Sequence, residues 1–100
     1  MKIRIATRSY SVMFADPSAC ELADARGWCD YERKLIIIDR TLDERLMNDT
    51  LWHEILHALM HEHAFPERQE EEAVVTFLGR ALEVFCRDNS RFVRDYLVPR

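Results

Sequence analysis

The chain has 100 residues, 48% of them hydrophobic and 32% charged, with a formal net charge of -4. That is enough for one small domain and too little for two, and the balance is that of a globular chain, not a disordered one. An acidic chain is a poor match for nucleic acid, which wants a basic face, and no apolar run approaches the roughly eighteen residues of a membrane span.

The N-terminal stretch Met1-Lys2-Ile3-Arg4-Ile5 lacks the apolar core of a signal peptide. The three cysteines, Cys20, Cys29 and Cys86, form no C-x-x-C pair. They read as reduced thiols of a cytoplasmic protein, and as small buried apolar residues before metal ligands.

In chain order, residues 2–14 begin with alternation of Ile3, Ile5 and Thr7 against Lys2, Arg4 and Ala6. This predicts a strand with one buried face and a weak point near Ser9. Asp16-Pro17 opens a loop or a single helical turn. Residues 26–31, led by Gly27, read as a second strand, and Glu32-Arg33 as a polar turn. Leu35-Ile36-Ile37-Ile38-Asp39 is continuous and β-branched, which favours a strand. Residues 27–39 are therefore expected to form an antiparallel hairpin.

Thr41-Leu42-Asp43-Glu44 fits a capping box, and Asn48-Asp49-Thr50 offers a second cap. A helix is expected to start at one of these points and to end at Phe65-Pro66. A second long helix is expected from roughly Arg68 to Asp88, with Val74, Val75, Phe77, Leu78, Ala81, Leu82 and Phe85 at helical spacing. Asn89 or Ser90 interrupts it, and Arg91–Leu97 reads as a short terminal helix. The expected fold is a single α+β domain, a small antiparallel sheet packed on two long helices.

All four histidines fall within eleven residues, His53, His57, His61 and His63. The first two frame His53-Glu54-Ile55-Leu56-His57, an H-E-x-x-H motif. On a helix, positions i and i+4 share a face, so His53 and His57 can hold one metal ion, with Glu54 placed as general base for a water on it. A catalytic zinc site needs a third protein ligand. One source is Glu70-Glu71-Glu72. Against the apolar stripe Val74, Leu78, Ala81, Leu82 and Phe85, helical geometry puts Glu71 within the stripe, Glu70 at its edge and Glu72 pointing away. The other source is His63, ten residues after His53 as in metzincins. That arrangement turns sharply after the second histidine, where this chain has Met60, and needs a later methionine turn that is missing. Glu71 is favoured. His61 reads as a surface residue.

The segment Thr50-Leu51-Trp52-His53-Glu54-Ile55-Leu56-His57-Ala58-Leu59 resembles the core of the ImmA/IrrE-type metallopeptidases of the gluzincin group. More narrowly, it resembles short phage-encoded relatives of about one such domain. The family pattern E-x-x-A-N-x-F-A-x-x-L-L, laid from Glu71, meets Val74 at the usual alanine, Phe77 at the phenylalanine, Leu78, and Ala81-Leu82 at the final pair. Val75 replaces the asparagine, the terminal Leu-Met-Pro stretch is absent, and the loop from His57 to Glu71 is short. The likeness covers most of residues 27–89.

It implies a minimal zincin-like metallopeptidase domain. His53, His57 and Glu71 would hold zinc, and Glu54 would take a proton from bound water. The strand Leu35–Asp39 would border the cleft and pair with an extended protein or peptide substrate. Tyr31 and Tyr96 are candidate oxyanion stabilisers by chemistry alone. The alternative is a non-catalytic, zinc-stabilised module that binds a protein partner through the same groove. A further reading is an adaptor that docks through the amphipathic stretch Arg91, Phe92, Arg94, Tyr96 and Leu97.

Overall fold

The structure, a computed structural model, describes residues 1–19, 22, 25–66 and 69–99. Cys20 and the expected helix start at Arg68 lie outside the described residues. The elements are strands β1 (Lys2–Ile5), β2 (Arg8–Ala15), β3 (Gly27–Asp30) and β4 (Leu35–Asp39), then helices α1 (Glu44–Glu62), α2 (Glu71–Asp88) and α3 (Ser90–Phe92). A π-helical turn, Val93–Leu97, follows α3. The fold is α+β, a four-stranded sheet with two long helices stacked on it, α1 directly and α2 along α1.

The sheet order is β1-β2-β4-β3. The β1/β2 and β3/β4 pairs are antiparallel, the second being the expected 27–39 hairpin, but β2 and β4 are parallel, with Val12 opposite Ile36. The sheet is therefore mixed where an antiparallel one was expected. The chain reverses twice between β2 and β4, and β3 takes the outer edge, so β4 returns in the direction of β2. The first expected strand is really two, broken at Ala6 rather than near Ser9, because Ala6 takes a left-handed φ of 55° and turns the chain.

One face of the sheet carries most of the core. Tyr10 and Val12 in β2, and Ile36 and Ile38 in β4, alternate onto it and meet Ala58 of α1. Each buried aliphatic side chain contributes roughly 1.5–3 kcal/mol. Tyr10 also donates its hydroxyl to Glu62 Oε2 at 2.6 Å, and Lys34 Nζ lies 2.7 Å from the same oxygen. Lys34 and then Tyr10 hold the Glu62 carboxyl below the usual range. This cluster ties the end of α1 to the sheet.

The cap of α1 differs from both expectations. Asp43 is the N-cap and accepts from Leu46 N–H at 2.9 Å, while the Thr41 hydroxyl donates to Asp39 instead. At the other end, Phe65 N–H bonds Met60 O and Ala64 N–H bonds His61 O, the two bonds of a Schellman motif. Ala64 is the left-handed residue of that motif, with φ 56°. A Cβ there is strained and glycine is not. Ala64→Gly is expected to raise stability by about 0.5–1 kcal/mol, after the entropy that glycine adds to the unfolded chain is subtracted. Urea denaturation checks it, and a lower midpoint for the variant would contradict the assignment.

The main departure from expectation lies in α2. Its buried residues are Val75, Gly79 and Glu83, and they face α1. The stripe expected to face the core turns outward, with Val74, Phe77, Leu78 and Phe85 all exposed. Two constraints select the buried face. Gly79 is the one residue of the helix that allows close approach of another backbone, and Glu83 is paired with Arg87 at 3.1 Å, which lessens the cost of burying it. Among the described residues, no helix is long and apolar enough to cross a membrane.

Candidate metal centre

The centre of α1 presents different residues to its two neighbours. Thr50, Glu54 and Ala58 recur every four residues and are buried. Thr50 and Glu54 lie against Gly27, at the start of β3, so closely that a Cβ built on Gly27 would sit 2.8 Å from Thr50 Cγ2 and 3.2 Å from Glu54 Cγ. The glycine at the head of this strand is thus required by packing. His53 and His57 face α2, whose Gly79 brings its backbone against the backbone of His53.

Seven residues before Gly79 on the same face of α2 stands Glu72, and its carboxylate spans the two histidines. Oε1 lies 2.9 Å from His53 Nε2, and Oε2 lies 2.9 Å from His57 Nε2. The outer ring nitrogens are engaged as well. His57 Nδ1 is 2.7 Å from Glu71 Oε2, and His53 Nδ1 is 3.5 Å from Thr76 Oγ1, at the limit of a hydrogen bond. His53, His57 and Glu72 each offer one donor atom, all within 4.8 Å of one another.

This donor set suits zinc. Two imidazole nitrogens and one carboxylate are its usual catalytic ligands, with a fourth position left for water or substrate. The ring chemistry of His57 adds an independent argument. Carboxylates face both of its nitrogens, so a ring with one proton leaves one contact unmet, and either a second proton or a cation at Nε2 meets it. In the second case the Nδ1–H is donated to Glu71, as a metal-ligating histidine usually donates its other N–H to a carboxylate.

The residues singled out in the sequence are placed as follows. His53 and His57 are brought together. Glu71, expected to be the third ligand, faces Nδ1 of His57, and Glu72, expected to point away, faces both Nε2 atoms. The cause is the rotation of α2, which turns its apolar stripe outward. His63 is the exposed C-cap residue of α1 and contributes nothing to the group, and His61 stacks on Tyr31 with ring centroids 4.2 Å apart. The residues that the sequence reading did not place beside the histidines are Glu72, Thr76 and Gly79. An isolated glycine inside a helical pattern commonly marks a packing contact. Counting back a heptad from Gly79 would have selected Glu72.

Glu54 is buried, and its carboxyl opens on a cleft of about 320 Å³ whose walls include Gly27, Cys29 and Tyr31 on one side and His57, Glu71 and Glu72 on the other. Burial pushes its pKa up to about 7; the neighbouring His57 opposes the shift and Glu72 adds to it. Burial also pushes the Cys29 thiol up to about 12, far from the thiolate that binds metal. Tyr31 lines the cleft, whereas Tyr96 is exposed and packs on Phe92. β4, expected to border the cleft and pair with substrate, is already paired on both sides; among the described residues, the open edge beside the site belongs to β3.

No family model matches the chain, and none of the curated proteins or solved structures compared with it does.

Proposed function

We propose that the protein is a zinc-dependent metallopeptidase, a minimal cytoplasmic relative of the ImmA/IrrE type, in which His53, His57 and Glu72 hold the ion and Glu54 is the general base. The observation that carries this reading is the Glu72 carboxylate set between two Nε2 atoms, 2.9 Å from each, with Glu54 opening on the same cleft. When bound, zinc acidifies water and polarises a carbonyl. The chain's own residues do the rest. Glu71 and Thr76 accept the Nδ1 protons of His57 and His53 and so fix both rings with Nε2 inward. Glu54 takes the proton of the attacking water and returns it to the leaving amine. The open edge of β3 gives an extended peptide backbone a ladder to pair with, one strand outward from the position first expected.

The second reading is the non-catalytic zinc-stabilised module. The outward apolar face of α2, with Phe77 71% exposed, favours it. Glu54→Gln separates the two. The variant is expected to keep its zinc and to lose roughly 10²–10⁴-fold in cleavage of an internally quenched peptide library. Equal cleavage by wild type and variant would remove Glu54 as the base. If neither cleaves while both bind peptides, the module reading stands in its place.

A further inference from the structure

A second depression, of about 310 Å³, adjoins the proposed centre on the side away from Tyr31. It shares Gly27, His53, Glu54 and Glu72 with the first cleft, so both open on the same groups. Its outer wall carries Arg26, Asp49, Thr76 and Arg80. Arg26 and Arg80 also line the next hollow along the surface, where Arg45 joins them.

These three guanidinium groups gather on one surface hollow. Arg8, Arg33, Arg40, Arg87 and Arg94 all face carboxylates within the chain. Among the described residues, Arg26, Arg45 and Arg80 form no ion pair; Arg4 and Arg91 form none either, but line neither hollow. Of the described acids that line the two hollows, Glu83 is engaged by Arg87 at 3.1 Å, Glu72 faces the two histidines and Glu54 is buried, which leaves Asp49 beside the three arginines. Both inner arginines are exposed, on backbone that is held in place. The Arg26 carbonyl accepts from Asp39 N–H at 2.8 Å, which extends the ladder at the head of β3, and Arg80 follows Gly79, the point where α2 closes on α1. In a chain of net charge -4, three arginines gathered on one hollow are a local concentration of positive charge.

We infer that Arg26 and Arg80, with Arg45 beyond them, form a carboxylate-binding subsite, and that the peptide held at this centre is acidic on the side of the scissile bond that lies over Arg26. Arginine matches a carboxylate in a paired, planar geometry, and a groove walled by helix and sheet strengthens the attraction. An extended peptide on the β3 edge runs past Arg26 as it leaves the centre. The carboxylate is either an Asp or Glu side chain or the peptide's own C-terminus, which share this chemistry. The inference rests on the peptidase reading for the orientation of the peptide, and its test is chosen to fail separately.

The test is binding, measured by fluorescence anisotropy with the zinc-loaded Glu54→Gln chain, which does not turn its ligand over. Three labelled decapeptides serve as probes: one with three glutamates and an amidated C-terminus, its alanine counterpart, and the alanine counterpart with a free C-terminal carboxylate. At least one carboxylate probe is expected to bind tenfold or more tightly than the amidated alanine peptide, with an advantage that shrinks as salt is raised. Which one does so identifies the source of the carboxylate. The advantage is expected to vanish in the Arg26→Glu/Arg80→Glu double variant, and Arg26→Gln/Arg80→Gln is expected to fall between. Zinc content and melting temperature show that each variant is folded. Equal binding of all three probes, or an advantage that survives the double charge reversal, overturns the subsite. If the advantage behaves as expected but the wild type cleaves none of the probes, the subsite stands and the peptidase reading falls.

Discussion

Glu72→Ala is expected to lower zinc affinity on the order of a hundredfold or more, since the ~10–16 kcal/mol of a four-ligand zinc site divides to roughly 3 kcal/mol per ligand. Glu71→Ala is expected to cost less, about tenfold, the lower end of what loss of an outer partner costs. The two positions separate more sharply under a conservative change. In Glu71→Gln the amide oxygen can still accept the Nδ1 proton of His57, so affinity is expected to return close to wild type. In Glu72→Gln a neutral amide is a poor substitute for the anionic ligand, and affinity is expected to remain low. Competition with a chromogenic chelator reads all four values. Chelation is also expected to lower the melting temperature of the wild type more than that of Glu72→Ala, because only the wild type has bound metal to lose. If Glu71→Gln binds zinc as poorly as Glu72→Ala, while Glu72→Gln binds it well, the roles of the two glutamates are reversed and α2 sits differently on α1.

That neighbouring residues could exchange roles shows where the sequence was legible and where it was not. H-E-x-x-H was readable because its geometry is internal to one helix: i and i+4 share a face whatever surrounds them. The place of Glu54 beside the two histidines followed from the same motif. The strand around Ile36 and the end of α2 at Asp88 were readable from local chemistry of the same kind. Which glutamate faces the two histidines was not, because it depends on how a second helix is rotated. The apolar stripe of α2 is the usual guide to such a rotation, and here it points the wrong way. Val74, Phe77, Leu78 and Phe85 face outward, and the contact with α1 is made by Val75, Gly79 and Glu83. Likewise, the hairpin 27–39 is local and was legible, whereas the parallel pairing of β2 with β4 depends on where the chain returns after two reversals. The cap moved from Thr41 to Asp43 because Asp39 captures the Thr41 hydroxyl, a contact between a strand end and a turn that a four-residue pattern does not encode.

Gly79 fixes that rotation, and it gives the second large effect. A Cβ built there would lie 3.3 Å from His53 N, 3.5 Å from His53 Cα and 3.5 Å from Trp52 Cβ. The nearest of these atoms is backbone in the middle of α1, which cannot swing aside as a side chain can. Alanine adds a single tight contact against a gain of about 1 kcal/mol in helix propensity, so Gly79→Ala is expected to leave stability within about 1 kcal/mol of wild type. Valine adds two further methyl groups, held stiffly at the branched Cβ. They can be accommodated only if α2 moves away from α1, and Gly79→Val is expected to cost about 2–3 kcal/mol. Glu72 lies a heptad away on the same face, so the displacement reaches the two 2.9 Å contacts to His53 and His57. Zinc affinity is therefore expected to fall about tenfold or more in Gly79→Val, comparable to the loss of an outer partner of the site, although no ligand has been changed. Calorimetry for stability and chelator competition for zinc test the two effects separately. A Gly79→Val protein that is destabilised yet binds zinc as tightly as wild type would mean that the ligands are held by α1 alone, and that the pairing of the two helices is no part of the centre.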